Sequence, residues 1–162
     1  MANGWHTTGK VRCWAGAAGE VDVLTADVIC FAMESITAYD LDDEFVNTAA
    51  PFVLGRAGVT EVTSTGYTGG FGGADRLSLT TKSIAVDLPN NRAEFFCDDI
   101  TWTAISQAAA ETWVAFGFAA EITSDALSPM LWFIDTATGL PLTPNGSDIT
   151  ITIDAEGLAQ IT

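Results

Sequence analysis

The stretch "FIDTATGLPLTPNGSDITITID" (133–154) decides the reading of the chain. Its second half, Asp148-Ile149-Thr150-Ile151-Thr152-Ile153-Asp154, alternates without a break. Ile149, Ile151 and Ile153 would face one way, and Asp148, Thr150, Thr152 and Asp154 the other. That is the period-2 pattern of a strand with one dry and one wet face. The run "MLWFI" (130–134) lies upstream and has strand length. Between the two runs stand Gly139, Pro141, Pro144, Asn145 and Gly146. The prolines pre-set φ, Gly139 permits a tight bend, and Asn145-Gly146 suits a positive-φ turn.

The same grammar extends over the rest of the chain. "VDVLT" (21–25), "VICFAM" (28–33), "VTEVTST" (59–65), "RLSLTT" (76–81), "SIAVDL" (83–88), "AEFFC" (93–97) and "ITWTAI" (100–105) read as strands. "WVAFGFAA" (113–120) and "MLWFI" are apolar on both faces and are expected at the centre of a sheet. "LPNN" (88–91) and "PNGS" (144–147) read as turns, and "TGGFGGAD" (68–75) as a glycine-rich loop. Short helices fit at 11–18 and at 37–48, the second capped by Thr37 and followed by Pro51. The expected fold is a mainly β, single-domain antiparallel sandwich or barrel with one or two short helices. Residues 1–10, "MANGWHTTGK", are expected to form a mobile arm, and residues 11–162 one β-rich domain.

Composition narrows the function classes. The chain has 162 residues, 48% hydrophobic and 17% charged, which suits one domain with a sizeable core. Six basic residues face twenty-one acids, a net charge of −15. No Lys or Arg follows Arg92. Such a surface repels phosphate, so neither nucleic acid nor an anionic membrane is an expected partner. No apolar run approaches the length of a membrane span, and no secretory pattern opens the chain. Cys13, Cys30 and Cys97 are too widely spaced for a disulfide framework or a zinc site, and Cys30 and Cys97 read as small buried hydrophobes.

A search for chemistry finds no catalytic or cofactor-binding arrangement. His6, the single histidine, falls on the arm, without the orienting partner that acid–base catalysis requires. "DLDDE" (40–44) has the spacing of calcium ligands, but Phe45 occupies the place where an EF-hand loop needs glycine. Acids early in a helix explain it instead. "GGFGG" (69–73) lacks the Gly-Lys-Ser/Thr of a phosphate loop, which leaves Phe71 as a side chain that packs or docks. Asp98 and Asp99 are adjacent on a strand and point to opposite faces. Asn145-Gly146-Ser147 fits a glycosylation pattern, but turn geometry accounts for it. No metal site is expected.

The opening stretch also carries a resemblance. Ile134 through Ile151, "IDTATGLPLTPNGSDITI", resembles the C-terminal signature of a family of small virion proteins of tailed bacteriophages. Ser147 stands where that family often has glycine. "FFCDDITWTAI" (95–105), "EVDVLTADVICFAM" (20–33) and "DLDDEF" (40–45) are similar to further segments of the family. The arm and the loop at 66–75 depart from its short core.

The resemblance implies a virion structural protein, first of all a capsid decoration (cement) protein without a cofactor. Its implied partners are the major capsid protein and further copies of itself, as in a trimer. It would be made in the bacterial host cytoplasm and end on the capsid surface. The contact residues expected are Trp5, Lys10 and Arg12 of the arm, Phe71, and Leu140, Pro141, Pro144 and Asn145 of the turn. That turn is either a shaped contact surface, stiff enough to lose little entropy on binding, or simply the closure of a hairpin. A tail or neck position, or a carbohydrate-binding β-sandwich with an exposed aromatic row, are the alternatives.

Overall fold

The computed structural model describes residues 4–5, 22–36, 59–108, 110–125, 128 and 130–161. They form eleven strands: β1 (Gly4–Trp5), β2 (Val28–Ile36), β3 (Val59–Glu61), β4 (Leu77–Ser78), β5 (Ser83–Asp87), β6 (Arg92–Phe96), β7 (Ile100–Trp102), β8 (Ala115–Ala120), β9 (Met130–Ile134), β10 (Ile149–Ile151) and β11 (Ala159–Ile161). The protein is mainly β, with antiparallel sheets and none closed into a barrel. The architecture is that of a sandwich. The largest sheet runs β1-β9-β8-β2-β3, and β4 also pairs with β2. Two smaller sheets are β10-β7 and β11-β6-β5.

The centre of the large sheet is where its composition requires. All six residues of β8 are buried, as are the first four of β9. Alternation divides the side chains between two clusters. Val28, Cys30, Ala32, Phe116, Phe118 and Ala120 point into one, and Ile29, Phe31, Met33, Ala115 and Ala119 into the other. Gly117 sits between them for a steric reason: a Cβ there would lie 2.5 Å from Phe31 Cζ and 2.8 Å from Met130 Cε.

The first cluster is the interior of the sandwich. Phe95 of β6, Ile100 and Trp102 of β7, and the half-buried Ile149, Ile151 and Ala159 close over it. Trp102 stacks on Phe116 and Trp132 on Phe118, with ring centroids 5.5 and 5.1 Å apart. Leu131 and Trp132 are consecutive yet both enter this cluster. Simple alternation forbids that. The register shift opposite Phe118 and Ala119, a bulge of one residue in β9, permits it.

Several expectations need correction. "VDVLT" is not a strand: Asp22 accepts the Leu24 N–H (3.0 Å) and the Thr25 hydroxyl (2.9 Å), winding 22–26 into a turn. The strands at 59–65, 76–81 and 100–105 are shorter than their alternation suggested, because ladder pairing gives way to side-chain anchoring. Gly4 and Trp5 are not a free arm: they pair with Phe133 and Trp132 at the edge of β9. The remainder of the expected arm, including His6, Lys10 and Arg12, lies outside the described residues. So do Cys13, both expected helices and the acidic stretch 40–44.

Candidate functional site

The segment after β9 does not close a hairpin. β9 belongs to the large sheet, whereas β10 pairs with β7 across the sandwich: Ile149↔Trp102, Thr150↔Thr101 and Ile151↔Ile100. Residues 135–148 are therefore a crossover between sheets. This corrects the hairpin expectation, and the physical reason is visible in the backbone. Both legs of the loop are tied to residues 105–113 instead of to each other. Leu142 and Trp113 exchange N–H···O bonds of 2.8 and 3.0 Å. Gln107 N–H donates to Pro144 O (3.2 Å), and Gly146 N–H to Ile105 O (2.8 Å).

The turn chemistry holds the rest. Leu140 N–H closes a turn onto Ala137 O (3.1 Å), and Gly139 occupies it at φ +97°. Leu140–Pro141 is cis. Asn145 Oδ1 accepts the Ser147 N–H (3.0 Å), and Asp148 Oδ1 accepts the Ala104 N–H (2.9 Å). Only Gly146 of the Asn-Gly pair takes positive φ, at +92°. The positive-φ turn expected at Asn145-Gly146 is present, built as an Asx turn followed by one left-handed glycine.

This crossover forms one wall of a groove of about 560 Å³. The groove is lined by Ala137 to Leu140 and Leu142 of the crossover, by Ile149 to Asp154, by Gly157 and Leu158, and by Phe116 and Ile134. The lining side chains are mostly apolar, interspersed with Thr138, Thr150 and Thr152, and Asp154 is the one charged residue among them. Asp99 fixes the far wall by accepting the Ile153 N–H (2.9 Å). Thr101 and Thr150 hydroxyls bond at 2.9 Å on the outer face.

The expected contact residues do not gather in one place. Leu140 lines the groove. Pro141 and Asn145 are exposed on the same crossover, and Pro144 is buried, an anchor and not a contact. Phe71 is 46% exposed at the tip of the separate glycine-rich loop. Trp5 is placed by its backbone pairing with Trp132. Lys10 and Arg12 lie outside the described residues. The groove residues that the reading did not single out are Leu142, Ile149, Ile151, Ile153 and Leu158. Their signal was the unbroken Ile-x-Ile-x-Ile alternation, read as core-facing. Those isoleucines are half-buried, and the face they form borders the groove.

Elsewhere the polar clusters are internally satisfied. Arg76 is 6% exposed and pairs with Glu61 (2.8 Å) and Asp125, beneath the glycine-rich loop. Glu61 also accepts from Tyr67 Oη (2.8 Å) and Gly70 N–H (3.0 Å), so the acid holds the loop down. Burial, then the charge of Glu61, raises the Tyr67 phenol well above its ordinary value. Burial works against the Arg76 charge, but its bonds to Glu61 and Asp125 outweigh burial and raise its pKa. Glu111 is buried and accepts from Thr63 N–H and the Ser64 hydroxyl, which in turn accepts from Trp113 Nε1 (2.8 Å).

Asp87, Glu94 and Glu156 bring carboxylate oxygens within 4.8 Å of one another. Arg92 lies among them, 3.0 Å from Asp87, 2.9 Å from Glu94 and in contact with Glu156. The cluster is an ion-pair network around a guanidinium. Asp98 and Asp99 go to different partners, Thr80 and Thr81 for one and Ile153 for the other. Cys30 is buried and Cys97 half-buried, and both are free thiols. Burial, and then the nearby Asp98, push the Cys97 thiol up to about 11. The chain matches no family model, no curated protein and no solved structure.

Proposed function

We propose that the protein is a structural component of a bacteriophage virion, a decoration protein that binds the outer surface of the head and bridges capsid subunits. The observation that carries the reading is the crossover itself. The segment that resembles the virion family is the one anchored at Leu142, Pro144, Gly146 and Asp148, and it walls the groove. A rigid apolar groove loses little entropy when a partner segment fills it, which suits a contact repeated many times on a lattice. Binding only to the assembled shell stabilises that shell by mass action. The charge of −15 supports an external position, away from packaged DNA.

The carbohydrate-binding alternative loses its main support among the described residues. Tyr67, Trp102, Trp113 and Trp132 are all buried, and no exposed aromatic row is present.

The test is co-sedimentation of the purified chain with phage heads that lack it. Thr138→Asp and Ile153→Lys place charge in the groove at lining residues that are not packed against the core. Both are expected to weaken head binding at least about tenfold while leaving the melting curve intact. Unchanged binding by both folded variants would overturn the role of the groove.

A further inference from the structure

We infer that β5 is a self-association edge, through which two copies of this chain pair antiparallel about a two-fold axis at Ala85. This does not rest on the capsid reading, and it is tested on the chain alone.

Among the described residues, β5 is the end strand of its sheet and pairs only with β6. Its ladder leaves unpaired backbone facing outward. Phe95 C=O accepts the Leu158 N–H at 2.8 Å, so the backbone polar groups of Phe95 face β11. Its partner across the ladder, Ile84, must therefore turn its own N–H and C=O away from β6, and by alternation Val86 does the same. The side chains of this edge are apolar and uncovered: Ile84 is 50% exposed, Val86 70% and Leu88, just beyond the strand, 80%. Natural edge strands are normally blunted by proline, bulges or inward-pointing charge. Ser83-Ile84-Ala85-Val86-Asp87 has none of these on its apolar face.

The occupant that fits is the same strand from a second copy. With the axis at Ala85, Ile84 lies opposite Val86 of the second copy and Ser83 opposite its Asp87. Each apolar side chain then meets an apolar one, and the hydroxyl meets the carboxylate. The outward N–H and C=O groups of Ile84 and Val86 bond to their counterparts. Ile84 and Val86 share a face with Phe95 and Ala93, so the added strand continues the apolar face of the sheet. Charge favours the same choice. Lys82 and Arg92 balance Asp87 and Glu94, so the 82–96 hairpin is formally neutral in a chain of net charge −15. Two copies approach there with the least repulsion. The symmetry is two-fold, not the three-fold suggested by the family resemblance.

Sedimentation equilibrium and oxidative cross-linking test this on the full chain. The wild type is expected to dimerise reversibly. Val86→Lys, at an exposed site, is expected to raise the dimer dissociation constant at least about tenfold while leaving the melting temperature of the dilute monomer unchanged. In Ala85→Cys the paired Cα atoms would be about 4.5 Å apart, within disulfide range, and a covalent dimer is expected under mild oxidation. Ser147→Cys, on the exposed crossover, is the control that should not cross-link. A chain that stays monomeric at all concentrations, an oligomer indifferent to Val86→Lys, or an Ala85→Cys dimer that does not cross-link would each overturn the pairing.

Discussion

Arg76 shows how much one buried cation holds together. It joins Glu61 of β3 to Asp125, lies 5.3 Å over the Phe31 ring, and sits under the glycine-rich loop. Arg76→Ala leaves Glu61 buried without its counter-charge, and a loss of about 3–5 kcal/mol is expected in urea unfolding. Gly73 is equally constrained: a Cβ there would lie 2.4 Å from the carbonyl oxygens of both Thr68 and Gly69. Backbone on both sides cannot yield cheaply, so Gly73→Ala is expected to cost about 1–3 kcal/mol or more. Asp98 makes a different kind of contribution. Its carboxylate accepts the Thr81 (2.6 Å) and Thr80 (2.9 Å) hydroxyls and fixes Thr81 at φ +51°, an unfavourable angle for a β-branched residue. These bonds, Thr81 first, hold the Asp98 carboxyl below the usual carboxylate range. A carboxylate that binds protons less readily folded than unfolded stabilises the protein above its unfolded pKa. That contribution disappears as pH falls through the folded value. Asp98→Asn should therefore be less stable than wild type at neutral pH and decline less steeply in acid. Parallel urea-midpoint curves against pH would contradict this.

The strands with the strongest patterns were legible from residue order. β5, β6, β8 and β9 lie where their apolar or alternating runs begin and end, to within a residue or two, and β2 starts with its run at Val28 but continues three residues past it, to Ile36. Legibility failed where side chains, not ladders, decide the backbone. "VDVLT" has the residues of a strand, yet Asp22 caps a turn there because its carboxylate reaches two donors nearby. The bulge at Leu131 leaves no mark in "MLWFI", since every residue of that run is apolar. The crossover was the most instructive case. Two β-like runs around a Pro-, Asn- and Gly-rich turn look like a hairpin, because local pattern carries no information about which strand each run joins. The decisive contacts, Trp113 with Leu142 and Ile105 with Gly146, are made across more than twenty-five residues of chain. Hence the groove is only half legible in residue order: the alternation places Ile149 and Ile151 against the core, where they pack, but does not show that the same residues border a groove with Leu140.

At the scale of the molecule, the sandwich explains why one face of β10 is neither dry nor wet. Ile149 and Ile151 of β10 pack against the core cluster and, with Ile153, also line the groove. The fold class followed from composition and period alone, whereas the distribution of apolar surface on the finished molecule depends on sheet pairing. The groove and the β5 edge are apolar features on a body of net charge −15, and each is read here as a contact. We propose above that the chain decorates a phage head. Gold-labelled antibody against the protein, applied to purified virions and scored by position, tests it most directly. A decoration protein would leave gold distributed over the whole head. Gold confined to the neck or tail, or no gold on the particle, would contradict it.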